Sequence, residues 1–129
     1  MNFNEYQVEG AKTAKQHTSL DSFEAGISDF ALGLTGEAGE VADLVKHEVF
    51  HREHIELVEY AKELGDVLWY VAQLSNLLGI PLQVIAELNA AKLNARYKDG
   101  YSAEASANRH NTEFSLPDVF ATLMEKYAK

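Results

Sequence analysis

Apolar residues recur at helical spacing along almost the whole chain, and no segment shows the polar–apolar alternation of a β-strand. This pattern predicts an all-α fold with a four-helix-bundle core, a C-terminal arm and a short terminal helix. We expect one domain over residues 1–129, with the bundle core at about 3–98 and the arm at about 99–129. The core helices are predicted at about 4–17, 28–50, 55–78 and 81–97, and residues 18–26 and 101–112 are predicted to be irregular.

Several residues mark the predicted helix ends. Asn4 is the expected cap of the first helix, and Ser115 that of the terminal helix. Gly79 is expected to end the third helix, because glycine tolerates the left-handed conformation common at helix ends. Gly33, Gly36 and Gly39 interrupt the second helix, which indicates either a close approach of another group to this backbone or a late helix start near Thr35.

Two carboxylate pairs stand three residues apart in the second and third helices. Glu37 and Glu40 form the first pair, in GLTGEAGEVADLVK, and Glu63 and Asp66 form the second, in AKELGDVLWYVAQL. Residues at this spacing lie about 60° apart around a helix, so each pair shares one face. On a helical wheel Glu37 falls within an apolar stripe, and Glu63 borders another. A carboxylate directed at a core is costly without a compensating positive charge, so a metal site is the first hypothesis.

Antiparallel packing of the second and third helices would bring the two pairs opposite each other. Four carboxylates offer the oxygen-rich shell that Mg²⁺ or Mn²⁺ prefers, and such a site suits hydrolysis of a phosphoanhydride. On the fourth helix, Asn89, Lys92 and Arg96 share one face. The cationic groups of Lys92 and Arg96 suit phosphate oxygens, and the alternative is that they are ordinary solvated surface charges.

Composition narrows the possible classes of function. The net charge of −9 argues against a groove for nucleic-acid phosphates as the main function. The absence of cysteine excludes disulfides, thiolate zinc sites and cysteine nucleophiles. The sequence has no apolar run long enough to span a bilayer, and MNFNEYQVEG lacks the features of a signal peptide. We therefore expect a cytoplasmic protein with neither a nucleic-acid nor a membrane partner.

Together, the stretches FNEYQVEGAKTA, GLTGEAGEVADLVKH, KELGDVLWYVAQL and NAAKLNARYKDGYS resemble the MazG-like all-α nucleoside triphosphate pyrophosphohydrolases. The similarity covers about residues 3–102. It implies Mg²⁺-dependent hydrolysis of a nucleoside triphosphate, with a deoxynucleotide favoured, to the monophosphate and pyrophosphate, as a housekeeping step for the nucleotide pool. It also implies a homodimer or homotetramer with sites near the subunit contacts.

The resemblance further implies roles for individual residues. Glu37 or Glu40 would orient or deprotonate the attacking water, and Gln7 would approach the base. The residues implied to hold the metal are Glu37, Glu40, Glu63 and Asp66, and those implied to bind phosphates or sugar are Asn89, Lys92 and Arg96. Many family members carry a further glutamate where this chain has Gly36, which leaves open the number of metal ions and the identity of the base.

Three other interpretations compete with this one. A non-catalytic helical interaction module with solvated acidic faces is the alternative function, and it predicts that Mg²⁺ leaves the melting temperature unchanged. The string from His47 to His51 matches HExxH, with His54 as a conceivable third ligand, but the chain shows no sheet, so we interpret this stretch as a solvated, partly basic helix end. A di-iron bundle needs two Glu-x-x-His motifs, and Glu48 with His51 supplies only one.

Trp69 points away from the main apolar arc of the third helix. We interpret it as an oligomer contact, with a nucleotide-base pocket and coverage by the C-terminal arm as alternatives.

Overall fold

A computed structural model describes residues 1–15, 20–109 and 114–127, and within these ranges it contains helices and no strand. The prediction of an all-α fold is confirmed. The helices are α1 (Phe3–Ala11), α2 (Leu20–Phe50), α3 (Leu57–Leu78), α4 (Leu82–Arg96), α5 (Ala103–Ala107) and α6 (Leu116–Tyr127). The chain divides into two compact units, Met1–Gly79 with α1 to α3 and Ile80–Lys129 with α4 to α6. The four-helix bundle and the single domain stay predictions.

The cap of helix α1 lies two residues earlier than predicted. Asn2, not Asn4, is its cap: the Asn2 side chain accepts from the backbone N–H of Glu5, and the Glu5 carboxylate accepts from the Asn2 N–H, both at 2.9 Å. This reciprocal capping box satisfies two backbone donors at once, which explains why Asn2 is preferred. The helix ends at Ala11 instead of about residue 17, and residues 16 and 17 lie outside the described ranges.

Helix α2 begins at Leu20, so the predicted irregular stretch was wrong over residues 20–26, while residues 18 and 19 lie outside the described ranges. The helix passes through all three glycines without a break, so a late start near Thr35 was wrong as well. At Gly33 the close approach is real, since an added Cβ would lie 2.1 Å from Cε1 of Tyr70. At Gly36 and Gly39 an added Cβ would meet nothing within 4 Å.

The later helix boundaries follow the sequence more closely. Gly79 ends α3 in the left-handed conformation, with φ of 66°, as predicted. Ser115 caps α6, because its hydroxyl accepts from the N–H of Asp118 at 3.4 Å. The stretch 101–112, predicted to be irregular, contains the short helix α5, for which the Ser102 hydroxyl accepts from the N–H of Ala105. Residues 110–112 lie outside the described ranges.

In the first unit, α2 and α3 pack along each other and α1 packs on α3. Phe30 of α2 meets Trp69 and Tyr70 of α3 edge to face, with ring centroids 5.9 and 6.3 Å apart. The Trp69 indole N–H donates to the Thr13 hydroxyl at 2.9 Å, just beyond the end of α1. Trp69 is thus engaged by its own unit, in a contact that none of the three interpretations anticipated.

A bundle seam is predicted along the third helix from residues at alternating spacings of four and three: Leu57, Ala61, Leu64, Leu68, Val71, Ser75 and Leu78. The N-terminal end of this seam is largely exposed. Leu57 is 84% exposed and Leu64 55%, and Ala61 between them is also exposed. Helix α2 carries a second exposed stripe at alternating spacings of four and three residues, made of Ala31, Thr35, Ala38, Ala42, Val45 and Val49. Both stripes therefore lack a partner within the described part of the chain.

The second unit is built on the contact of α4 with α6. The Glu87 carboxylate accepts hydrogen bonds from the Tyr127 hydroxyl and from Gln83 Nε2 at 3.0 Å, and Lys126 Nζ lies 3.0 Å away. These bonds lower the pKa of Glu87 to about 2, with the Tyr127 hydroxyl the largest contributor.

Among the described residues, no single helix is both long and apolar enough to cross a membrane. The combined length and composition of α3 and α4 would meet that requirement, but these are two separate helices.

Candidate metal centre and nucleotide site

Three of the four predicted carboxylates converge where α2 faces α3. Glu37 comes from α2, and Glu63 and Asp66 come from consecutive turns of α3. One carboxylate oxygen from each residue lies within 4.8 Å of the others. Glu63 is buried at 9% exposure, Glu37 is half-buried and Asp66 is exposed. The cluster therefore has a buried end and an end that is open to solvent.

The direction of α2 relative to α3 explains this convergence. Tyr60 contacts Glu48, whereas ten residues further along α3 Tyr70 meets Gly33, so residue numbers on the two helices run in opposite senses. Antiparallel packing brings Glu37 to the level of Glu63, as expected from the sequence. The Tyr70 ring against Gly33 also permits close approach of the helices one turn before Glu37.

Little positive charge offsets this cluster. Lys62 Nζ lies 2.9 Å from a Glu63 oxygen and 3.5 Å from Glu59, and the hydrogen bond to Glu63 is the main reason that the Lys62 pKa is raised. Lys62 is shared with Glu59, so it offsets the charge of the three clustered carboxylates only in part. Three oxygen donors with excess negative charge fit a hard divalent cation.

Glu40 lies outside this group of three, among the residues that the structure describes. It is exposed and lies one turn beyond Glu37 on α2. Gly36, where related chains are expected to carry glutamate, is exposed too, and a Cβ there would meet nothing within 4 Å. A glutamate side chain would therefore fit at position 36, and steric crowding does not explain why this chain has glycine there.

Tyr6 was missed by the sequence analysis. Burial raises the pKa of its phenol, and the negative charge of Asp66 raises the pKa further. Helix α1 thus brings an uncharged hydroxyl into the electrostatic reach of the cluster. Nothing in the sequence distinguishes this tyrosine from the other five.

Gln7, the residue expected near the base, is buried at 9% exposure between α1 and α3. Its Nε2 donates to the Ser75 hydroxyl at 3.2 Å, and its backbone carbonyl accepts from Asn76 Nδ2 at 3.4 Å. These contacts hold Gln7 in one orientation. Its role toward a base stays a prediction.

The three residues predicted to bind phosphates or sugar all lie on α4, in the second unit. Asn89 and Lys92 line a cavity of about 440 Å³, whose other walls are apolar: Ile80, Ile85, Ala86, Leu88, Leu116 and Phe120. Arg96 does not line it. The Arg96 guanidinium lies 5.7 Å from the Tyr97 ring, and its buried Nε has no hydrogen-bond partner in the described ranges.

These features define an all-helical protein with an acidic, metal-compatible centre between two antiparallel helices. The MazG nucleotide pyrophosphohydrolase domain matches residues 26–101, which include that centre and α4. The chain belongs to the MazG nucleotide pyrophosphohydrolase family, and the predicted resemblance is confirmed.

A relative supports the comparison over a longer stretch. The "Gene 37 protein" of Mycobacterium phage L5 is 36% identical over an alignment of 115 residues that covers 84% of this chain and the whole of the phage protein. Its name carries no statement of activity. No solved structure matches the chain.

Proposed function

We propose that this protein is a divalent-metal-dependent pyrophosphohydrolase that converts a (deoxy)nucleoside triphosphate to the monophosphate and pyrophosphate, in the cytoplasm. The observation that carries the proposal is the convergence of Glu37, Glu63 and Asp66 within 4.8 Å in a chain of this family. In this proposal these carboxylates hold the ion. Bound Mg²⁺ or Mn²⁺ would supply neutralisation of phosphate charge and a more acidic water.

Other residues of the chain would act on the substrate and on the water. Glu40, exposed one turn from the metal residues, would orient or deprotonate the attacking water as a general base. Asn89, Lys92 and Arg96 would bind phosphates or sugar. The partly apolar cavity beside Asn89 and Lys92 supports contact with a ligand that has both polar and apolar parts.

The test is a panel of ribonucleoside and deoxyribonucleoside triphosphates, canonical and damaged, with Mg²⁺ or Mn²⁺. Pyrophosphate release is expected, so orthophosphate should appear only after inorganic pyrophosphatase is added. Hydrolysis in ¹⁸O-labelled water should place the label in one product alone, the monophosphate for attack at the α-phosphorus. If no triphosphate in the panel yields pyrophosphate, the proposal fails.

Two variants separate metal binding from activation of water. Asp66→Asn should abolish both activity and the stabilisation by Mg²⁺, whereas Glu40→Gln should lower kcat about 100-fold or more and keep that stabilisation. Glu24→Gln is the matched control, since Glu24 is an exposed glutamate earlier on α2. Loss of Mg²⁺ stabilisation in Glu40→Gln would instead assign Glu40 to the metal.

We infer that the protein assembles as a homodimer or homotetramer through the two exposed stripes of α2 and α3. Burying one large aliphatic side chain contributes roughly 1.5–3 kcal/mol, so Leu57 and Leu64 alone would supply much of the drive for association. Leu64→Glu should lower the mass measured by light scattering, and Val8→Glu, at an exposed position of α1, should not. A monomeric wild-type protein at micromolar concentration would contradict this inference.

A further inference from the structure

The string HEVFH at the end of α2 has a geometry that its pattern alone did not indicate. His47 and His51 lie one turn apart with their ring centroids 4.6 Å from each other. Arg52 then takes a left-handed conformation, with φ of 59°, and the chain folds back. The backbone N–H of Glu53 donates to the His47 carbonyl at 3.2 Å. This turn places the Glu53 carboxylate beside the imidazoles of His47 and His51.

The distances in this cluster are close to those of a coordination sphere. Glu53 Oε1 lies 3.0 Å from His47 Nδ1 and 3.8 Å from His51 Nδ1. One ligand atom from each of the three residues lies within 4.8 Å of the others. A tetrahedral zinc ion with bonds of about 2.0–2.1 Å holds neighbouring ligand atoms about 3.3 Å apart. The two measured separations lie on either side of that value, so small side-chain movements suffice.

The surroundings of the cluster favour the same chemistry. Asp43 Oδ2 lies 3.5 Å from His47 Nε2, the ring nitrogen opposite the one that faces Glu53. A carboxylate on the second ring nitrogen is the usual way in which a metal-binding histidine is oriented. His47 and His51 are 36% and 46% exposed, which leaves room for water at a fourth position.

This arrangement differs from a zinc-protease site. The Glu48 carboxylate, which would be the general base, accepts a hydrogen bond from the Tyr60 hydroxyl at 2.6 Å. His54, the conceivable third ligand, is 81% exposed and contacts Glu56 instead. The third donor is therefore Glu53, and the protease interpretation stays rejected.

We propose that His47, His51 and Glu53 bind a borderline transition-metal ion of the zinc class, with Asp43 orienting His47. Two imidazoles and one carboxylate suit such an ion, whereas Mg²⁺ prefers oxygen donors alone. The ion fastens the connection between α2 and α3 to the last turn of α2. This site is separate from the acidic cluster of Glu37, and it does not depend on the proposed hydrolysis.

The test uses tag-free full-length protein from which metal has been removed with a chelator. The protein is titrated with Zn²⁺ at a pH above about 6.5, the pKa of free imidazole. Excess Mg²⁺ is present to occupy the acidic cluster. Calorimetry should give one Zn²⁺ per chain. In long-range ¹H–¹⁵N spectra, the ring nitrogens of His47 and His51 should shift while those of His54 stay in place.

Variants complete the experiment. His51→Ala and Glu53→Gln should each weaken Zn²⁺ binding more than tenfold, and Asp43→Asn should weaken it about tenfold. His54→Ala, a histidine of the same connection, is the matched control and should bind normally. Equal binding by His51→Ala and the wild type, an equal loss in His54→Ala, or unmoved ring signals would overturn the proposal. Because His51 and Glu53 are exposed, these variants are expected to fold, and circular dichroism checks this.

Discussion

The contact between Gly33 and Tyr70 gives the sharpest stability prediction. A Cβ at residue 33 would lie 2.1 Å from Cε1 and 2.3 Å from Cζ of Tyr70, whereas carbon atoms prefer about 3.5–4.0 Å. The ring would have to move by more than 1 Å, roughly, within the packed contact of α2 and α3. Such overpacking typically costs about 1–3 kcal/mol. Alanine favours the helix over glycine by about 1 kcal/mol, which offsets part of this cost. The net effect of Gly33→Ala should be a decrease of about 1 kcal/mol in the free energy of unfolding.

The same substitution at neighbouring glycines should have the opposite sign. At Gly36 and Gly39 an added Cβ meets nothing within 4 Å, so Gly36→Ala and Gly39→Ala should each stabilise by up to about 1 kcal/mol. Gly33→Ala and Gly36→Ala should therefore differ by about 2 kcal/mol, or roughly 8 °C in melting temperature for a chain of this size.

Urea unfolding followed by circular dichroism measures these free energies, and a double-mutant cycle isolates the contact. In a Tyr70→Ala background the obstacle is absent, so Gly33→Ala should become stabilising. If Gly33→Ala stabilises the wild-type protein as much as Gly36→Ala does, the steric argument is refuted. If the variant remains destabilising beside Tyr70→Ala, another cause must be found.

Three further predictions concern the metal, a buried contact and acid stability. Mg²⁺ at 100 times its dissociation constant should stabilise the wild type by about 2.7 kcal/mol in thermal unfolding, and EDTA should remove this stabilisation. The stability of Asp66→Asn should change with neither Mg²⁺ nor EDTA. Thr13→Val should destabilise by about 1 kcal/mol and change the fluorescence of Trp69, whose indole N–H loses its acceptor; unchanged emission would contradict this. Because the pKa of Glu87 is lowered to about 2, its contribution to stability is complete above about pH 4.5 and is lost as the pH falls toward 2. Acid titration of Glu87→Gln should lack that component, and an unaltered titration curve would refute the assignment.

Helical periodicity predicted α3 and α4 to within about two residues at each end, because their apolar positions are regular and Gly79 and Pro81 mark the break between them. The start of α2 was missed, since polar residues and Gly26 weaken the pattern there. Helix α2 packs along α3, and packing is a tertiary effect that local propensity does not contain.

The candidate centre was predicted in part. The i, i+3 spacing identified the acidic faces, but the axial register of α2 against α3 decides which carboxylates meet. Glu37 and Glu40 point about 60° apart around the axis of α2, and of the two only Glu37 belongs to the group whose carboxylate oxygens lie within 4.8 Å of one another. Glu53 was missed as a partner of His47 because its approach depends on the left-handed Arg52, a conformation that nothing in the sequence requires.

The crowding of Glu37, Glu63 and Asp66 has a consequence for protein engineering. Repulsion among these three carboxylates lowers the free energy of unfolding unless a bound cation neutralises them. The candidate metal site is therefore expected to destabilise the metal-free protein. A thermostability screen run in chelating buffer would therefore enrich Glu63→Gln and similar changes. The selected variants would be more stable but inactive. The same library screened with Mg²⁺ present should retain the acidic residues, so the choice of buffer would decide whether selection preserves or erases the site.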